Sequence, residues 1–460
     1  MALLVKNGEI ITATDRYFAD IYCEDQTISK IGHNLDVPPD TPTIDASGKY
    51  VFPGFIEPHV HIYLPFMGTV SKDTHTTGSQ AALVGGTTTF IEMCAPSKGQ
   101  DLLSEGFELW ADKAKGNSAC DYTFHMAVPH FDDKTKDQLD EIIKQGISSF
   151  KVFLAYKNFF GINDEALWQT LSFAKERGIV TTAHCENDEA VAQLQAQLLA
   201  AGKTGPGYHE PSRPVTVEAE GTRHFATFLK LTGATGYVVH LSCQAALEAA
   251  NRARYAGTNL FVEAVIPHLI LDSTYAERPD FEGAKYVMSP PLRPKPNQEV
   301  LWEGLRNTDI NTVATDHAPF DFVGQKDMGK DDFTKIPNGI PAIEDRVNML
   351  YTYGVSHGRI DIHRFVDAAS TQAAKIFGLF PKKGTIALGS DADLVIYDPN
   401  HRETLTAANQ TMNLDYRGFE GFEIHGRPSV VTVRGKVMVE EGVFVGEPSW
   451  GEFLAREPQY

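Results

Sequence analysis

Four short stretches of this 460-residue chain carry, near their ends, side chains that ligate metals or move protons. His59-Val60-His61 lies in FPGFIEPHVHI, His184 in IVTTAHCEN, His240 in TGYVVHLSC, and Asp316 followed by His317 in NTVATDHAPF. The i, i+2 spacing of His59 and His61 puts both imidazoles on one face of a strand. Imidazole nitrogens together with a carboxylate oxygen suit borderline divalent ions: zinc first, with manganese, cobalt or nickel acceptable to the same donors. Thiolates do not join them. Cys23, Cys94, Cys120, Cys185 and Cys243 are widely spaced and form no C-x-x-C, which argues against both a structural zinc knuckle and a disulfide framework.

A fifth stretch poses a different problem. ISSFKVFLAYKN, Ile147 to Asn158, is apolar and β-prone yet carries Lys151 in its middle. Strand alternation sets Lys151, Phe153 and Ala155 on one side and Phe150, Val152, Leu154 and Tyr156 on the other. A buried ammonium is costly unless it is paired or chemically changed. Four histidines and an aspartate are more donors than one open catalytic ion takes, so the set points to two ions and a bridging ligand. An ordinary lysine, with a pKa of about 10.4, has no lone pair to offer. Reaction with CO₂ removes the cation and leaves a carboxylate-like group on a long arm, so Lys151 is expected to be an N6-carboxylysine.

These residues need elements that bring them together. Eight β-prone runs separated by helix-compatible stretches occupy the middle of the chain: FPGFIEPHVHI, TTTFIEMC, YTFHMAV, SSFKVFLAY, IVTTAHCEN, TGYVVHLSC, NLFVEAVIPH and NTVATDHAPF. Eight strand-plus-crossover units predict a (β/α)₈ TIM-like barrel, whose chemistry sits at the C-terminal ends of its strands. Both ends of the chain are β-rich with frequent turn signals, which predicts a small β-sandwich domain made from the two termini. The expected division is 1–52 and 379–440 for the sandwich, 53–378 for the barrel, and 441–460 for a tail that contacts another subunit. Lysine plus arginine number 41 against 60 aspartates and glutamates, a net charge of −19 that disfavours nucleic acid and acidic membranes as partners. No run approaches the ~18 apolar residues of a membrane span, and the N-terminal apolar run is too short for a signal peptide. A cytoplasmic location is expected.

With these residues in view, the sequence resembles the dihydropyrimidinase and D-hydantoinase group of the amidohydrolase superfamily. The likeness runs through VKNGEIITA, GKYVFPGFIEPHVHI, SSFKVFLAYKN, FEGAKYVMSPPLR, DFTKIPNG and GTIALGSDADLVIYDP. It implies that His59, His61 and Asp316 hold one divalent ion, His184 and His240 a second, and carbamylated Lys151 bridges them. It further implies that Tyr156 stabilises an oxyanion, that Ser289 and Asn338 hold the amides of a cyclic diamide substrate, and that Asp316 shuttles the proton. Leu64, Phe66, Phe153, Phe159 and Phe160 match apolar gates around the ring substituent, and the assembly implied is a homotetramer. The chain departs from the group at Glu57, where aspartate is usual, at Cys185, where alanine is usual, and in CENDEA in place of AENGD. No proposed ligand is lost by these changes. Allantoinase-like and dihydroorotase-like activities share such a site, but the arginine that follows HxH in dihydroorotases is absent: Ile62 and Tyr63 stand there. A non-enzymatic scaffold is a further alternative, disfavoured because all six ligands are present.

Overall fold

Eight parallel strands form the centre of the molecule, whose computed structural model describes residues 2–460. They are β1 (Phe55–Val60), β2 (Thr87–Cys94), β3 (Asp121–Ala127), β4 (Ser149–Phe153), β5 (Val180–His184), β6 (Thr235–Val238), β7 (Leu260–Val265) and β8 (Thr312–Ala314). Each lies within one of the eight runs read from the sequence or overlaps all but a residue of it, and each pairs with the next in chain order. Closure comes from just beyond β8: Val60 bridges His317 in parallel, and the His61 amide donates to the His317 carbonyl at 2.9 Å. The strands are buried along almost their whole length, as expected for a sheet covered by helices on its outer face.

The crossover helices start where the sequence supplies caps. Thr74, Asp132, Asn163 and Asn187 each accept a hydrogen bond from the backbone three residues on, opening His75–Val84, Asp133–Lys144, Asp164–Arg177 and Asp188–Ala200. None of the described helices is long and apolar enough to cross a membrane.

The termini form two further sheets. Tyr50–Pro53, just ahead of β1, pairs antiparallel with Leu394–Thr404 and parallel with Glu9–Ile11, so one sheet draws strands from both ends of the chain. A four-stranded sheet of N-terminal strands packs on it through Val5, Ile10, Ile21, Cys23, Val51, Leu394 and Ile396. After Trp450 the chain returns along the N-terminal end of its own barrel. Leu454 donates its amide to the Tyr122 carbonyl (2.8 Å), and buried Arg456 reaches Thr123 Oγ1 and Ser149 Oγ (3.0 Å each).

Candidate metal and active site

The C-terminal ends of the barrel strands open into a cleft lined by His59, His61, Lys151, His184, His240 and Asp316, with Tyr156, Ser289 and Asn338 at its side. The six expected ligands therefore share one space, although they are spread over more than 250 positions of the chain.

The donors form two neighbouring groups. His59 Nε2 and His61 Nε2 lie 3.2 and 3.0 Å from Asp316 Oδ1. His184 Nδ1 and His240 Nε2 lie 3.0 Å apart, and Lys151 Nζ is 3.4 Å from His59 Nε2. Two of the rings are oriented from behind by carboxylates. His59 Nδ1 donates to Glu263 Oε1 (2.8 Å) and His184 Nε2 to Glu186 Oε2 (2.8 Å), which leaves each opposite nitrogen with its lone pair turned into the cleft. Burial, and then Lys151, hold His59 well below the usual histidine range, while burial and His184 do the same for His240. Neutral imidazoles facing an ionised aspartate make a donor set that fits divalent ions.

Asp316 is pushed up by burial but pulled down further by His59, His61 and Lys151, to about 2. Lys151 is lowered by burial to about 8, against the opposing pull of Asp316 and Glu263.

Several of these residues sit on left-handed backbone. Tyr156, His240 and Asp316 have φ of 61°, 41° and 52°, conformations that cost non-glycine residues about 1–3 kcal/mol each and persist only where surrounding bonds enforce them. At Tyr156 the turn is closed by the Phe159, Phe160 and Gly161 amides donating to the Tyr156 carbonyl, while beside His240 and Asp316 the backbone is held by two buried carboxylates below the cleft. Glu263 Oε1 accepts from the His240 amide (3.0 Å) as well as from the His59 ring. Glu57 Oε1 accepts from the His59 amide (2.9 Å) and the Thr315 amide (3.1 Å), while its other oxygen lies 3.1 Å from Arg346 Nε. Burial raises both carboxyls to about 7.

A family model for amidohydrolases matches residues 50–438. The chain belongs to the amidohydrolase family. Among curated relatives, the D-hydantoinase of Geobacillus stearothermophilus is 47% identical over 99% of this chain and 97% of its own length. The dihydropyrimidinase of Rattus norvegicus is 39% identical over 99% of this chain and 89% of its own. A solved D-hydantoinase (dihydropyrimidinase) from Thermus sp. superposes with a TM-score of 0.97 at 67% identity, covering 99% of each chain.

In this amidohydrolase the other expected site residues divide. Asn338 Nδ2 donates to Ser289 Oγ (2.9 Å) and to the Tyr156 hydroxyl (3.2 Å), tying three of them together. Tyr156 shares the cleft with Lys151, contrary to the alternation expected of a continuous strand: β4 stops at Phe153, and the turn that follows swings the phenol inward. Leu64, Phe66, Phe153 and Phe160 line the cleft. Phe159 does not; it is 49% exposed and lines a neighbouring hollow with Met67 and Asp188. His317 also turns away, donating from Nε2 to Asp73 Oδ2 (2.7 Å) and accepting from the Ala342 amide (3.1 Å).

Sequence reasoning missed Glu263, Glu186 and Arg213. Glu263 carried the same signal as Lys151, a charge inside the apolar run NLFVEAVIPH. Glu186 lies in CENDEA, and its partner Arg213, 2.5 Å away, comes from a distant segment with no marking pattern.

Proposed function

We propose that this chain is a metal-dependent cyclic amidase that opens the ring amide of 5,6-dihydropyrimidines and hydantoins to give N-carbamoyl amino acids. The observation that carries the reading is the convergence of His59, His61, Lys151, His184, His240 and Asp316 on one cleft, with Tyr156, Ser289 and Asn338 linked along its wall. His59, His61 and Asp316 would hold one ion and His184 and His240 a second, zinc before manganese or cobalt, with Lys151 as the bridge. Ions held there supply Lewis acidity and bring the pKa of water toward neutrality. Lys151, lowered to about 8, keeps a fraction of free amine near neutral pH. That amine can add to the carbon of CO₂ and lose a proton to become the carbamate.

The chain's own groups then divide the work. Ser289 and Asn338 fix the ring amides, and the Tyr156 hydroxyl donates to the carbonyl oxygen as it gains charge, an interaction stronger in the transition state than in the ground state. Asp316 accepts the proton of the attacking water and delivers it to the ring nitrogen between the two carbonyls, so the C–N bond breaks with that nitrogen leaving as the neutral NH2 of the carbamoyl group and not as its anion. No arginine lines the cleft, so a ring bearing a carboxylate would find no bidentate partner, which favours neutral diamides over dihydroorotate-like substrates. The same reading carries a homotetramer and a cytoplasmic location.

The test is hydrolysis of dihydrouracil, hydantoin, a 5-aryl hydantoin, allantoin and dihydroorotate by metal-replete protein, with a chelated control. Turnover of dihydrouracil or a hydantoin that chelation abolishes is expected. Turnover confined to allantoin or dihydroorotate would overturn the assignment.

A further inference from the structure

Lys326 has no place in the chemistry above, yet it is fully buried and its surroundings are unusual. Its Nζ donates to two backbone carbonyls, Val287 O at 2.9 Å and Gly339 O at 2.6 Å. Burial is the one influence on its ammonium, which is held well below the ordinary lysine range with no carboxylate compensating. A buried lysine without an anion is expensive, and its arrangement needs a reason.

The two carbonyls supply one. Val287 lies two residues before Ser289, and Gly339 directly follows Asn338. The segments are also joined by the Gly339 amide donating to Val287 O (2.9 Å) and by Asn338 Nδ2 donating to Ser289 Oγ (2.9 Å). His209 Nε2 reaches Met288 O (2.9 Å) and Ser289 Oγ (3.1 Å) from the other side. Gly339 cannot carry a side chain, since a Cβ there would run into the Ala318 carbonyl, and Ala318 itself lines the cleft. Two N–H donors are all this geometry requires, and both the ammonium and the neutral amine provide them.

We propose that Lys326 is a positioning residue for substrate: it clamps the Val287–Ser289 and Asn338–Gly339 segments at the spacing that lets Ser289 and Asn338 hold the two amides of one ring. The proposal rests on the cyclic amidase reading. Because both contacts are made to the intact ring as well as to the transition state, loosening them acts on binding more than on the chemical step.

The experiment compares the parent with Lys326→Met, which keeps the length of the side chain and removes its donors, on whichever ring the parent opens. KM is expected to rise about tenfold or more while kcat stays within about threefold, with metal content equal to the parent's. Amide hydrogen exchange gives a readout independent of turnover, with faster exchange expected in the two clamped segments of the metal-loaded variant and not at β1 or β5. A KM within about twofold of the parent, or unchanged exchange in those segments, would overturn the proposal. Should Lys326→Met not fold, Lys326→Gln is measured in the same way; failure of both to fold would also overturn it, by making Lys326 a folding requirement instead of a placing one. A parent that opens none of the rings would count against the cyclic amidase reading, and the exchange comparison would still decide the clamp.

Discussion

Lys151 and Lys383 are both 2% exposed and stand toward opposite ends of one barrel, yet their environments are inverted. Lys383, near the start of β3, lies 2.6, 2.9 and 2.7 Å from carboxylate oxygens of Asp121, Asp391 and Asp393. Arg434 pairs with Asp121 and Lys382 with Asp391, so three anions meet three cations. The three aspartates come within 4.8 Å of one another, close enough to resemble a metal site, but the Lys383 ammonium already holds all three. Among the described residues no carboxylate is in salt-bridge contact with Lys151, whose Nζ lies 3.4 Å from the imidazole nitrogen His59 Nε2. Burial lowers Lys151 to about 8; burial also acts on Lys383, but Asp393 and Asp391 outweigh it and raise that ammonium. A saturated charge cluster joins the barrel to the terminal β domain, while an unsaturated one at the mouth is available for chemistry.

The contrast can be broken at either lysine. Lys151→Ala is expected to lower kcat by about 10³ or more and to reduce bound metal, read by elemental analysis of the purified variant; two tightly held ions would refute the bridging role. Lys383→Met leaves buried carboxylates uncompensated and should cost about 3–5 kcal/mol of stability in denaturant unfolding, with kcat of the folded fraction unchanged. Tyr156→Phe should reduce kcat by about 10²–10³ with metal content intact, and a loss under about threefold would remove Tyr156 from the mechanism. Glu263→Gln sharpens the comparison from behind the mouth, with metal affinity expected to fall about 10–100-fold in a chelator competition. The smallest effect is in pH. Since the folded Lys383 value lies above the ordinary 10.5, its cluster contributes fully below that value and loses its contribution as pH rises through the folded one. Alkaline unfolding should therefore be steeper for the parent than for Lys383→Met.

The eight barrel strands were legible because each is a short apolar run bounded by turn signals, and strand periodicity is a local property. The types of the six candidate ligands were legible for the same reason: histidine, aspartate and lysine are conspicuous in runs that should be plain core. Tyr156 and His317 were not, because their directions depend on where β4 ends and how β8 meets β1. Nor was the Glu186–Arg213 pair, whose members lie 27 positions apart and meet only once Asp188–Ala200 and Val215–Thr232 have packed on the barrel.

By itself, then, the sequence determined the strand pattern, the acidic surface charge and the donor types at the strand ends, since all three are read from residues and their immediate neighbours. Only the tertiary structure decided which nitrogens face the cleft, that Glu57 and Glu263 hold the backbone beside His240 and Asp316, and that Lys383 is neutralised where Lys151 is not. Those outcomes depend on distances between segments that meet only when the barrel closes, and electrostatics in a buried site is set by such distances.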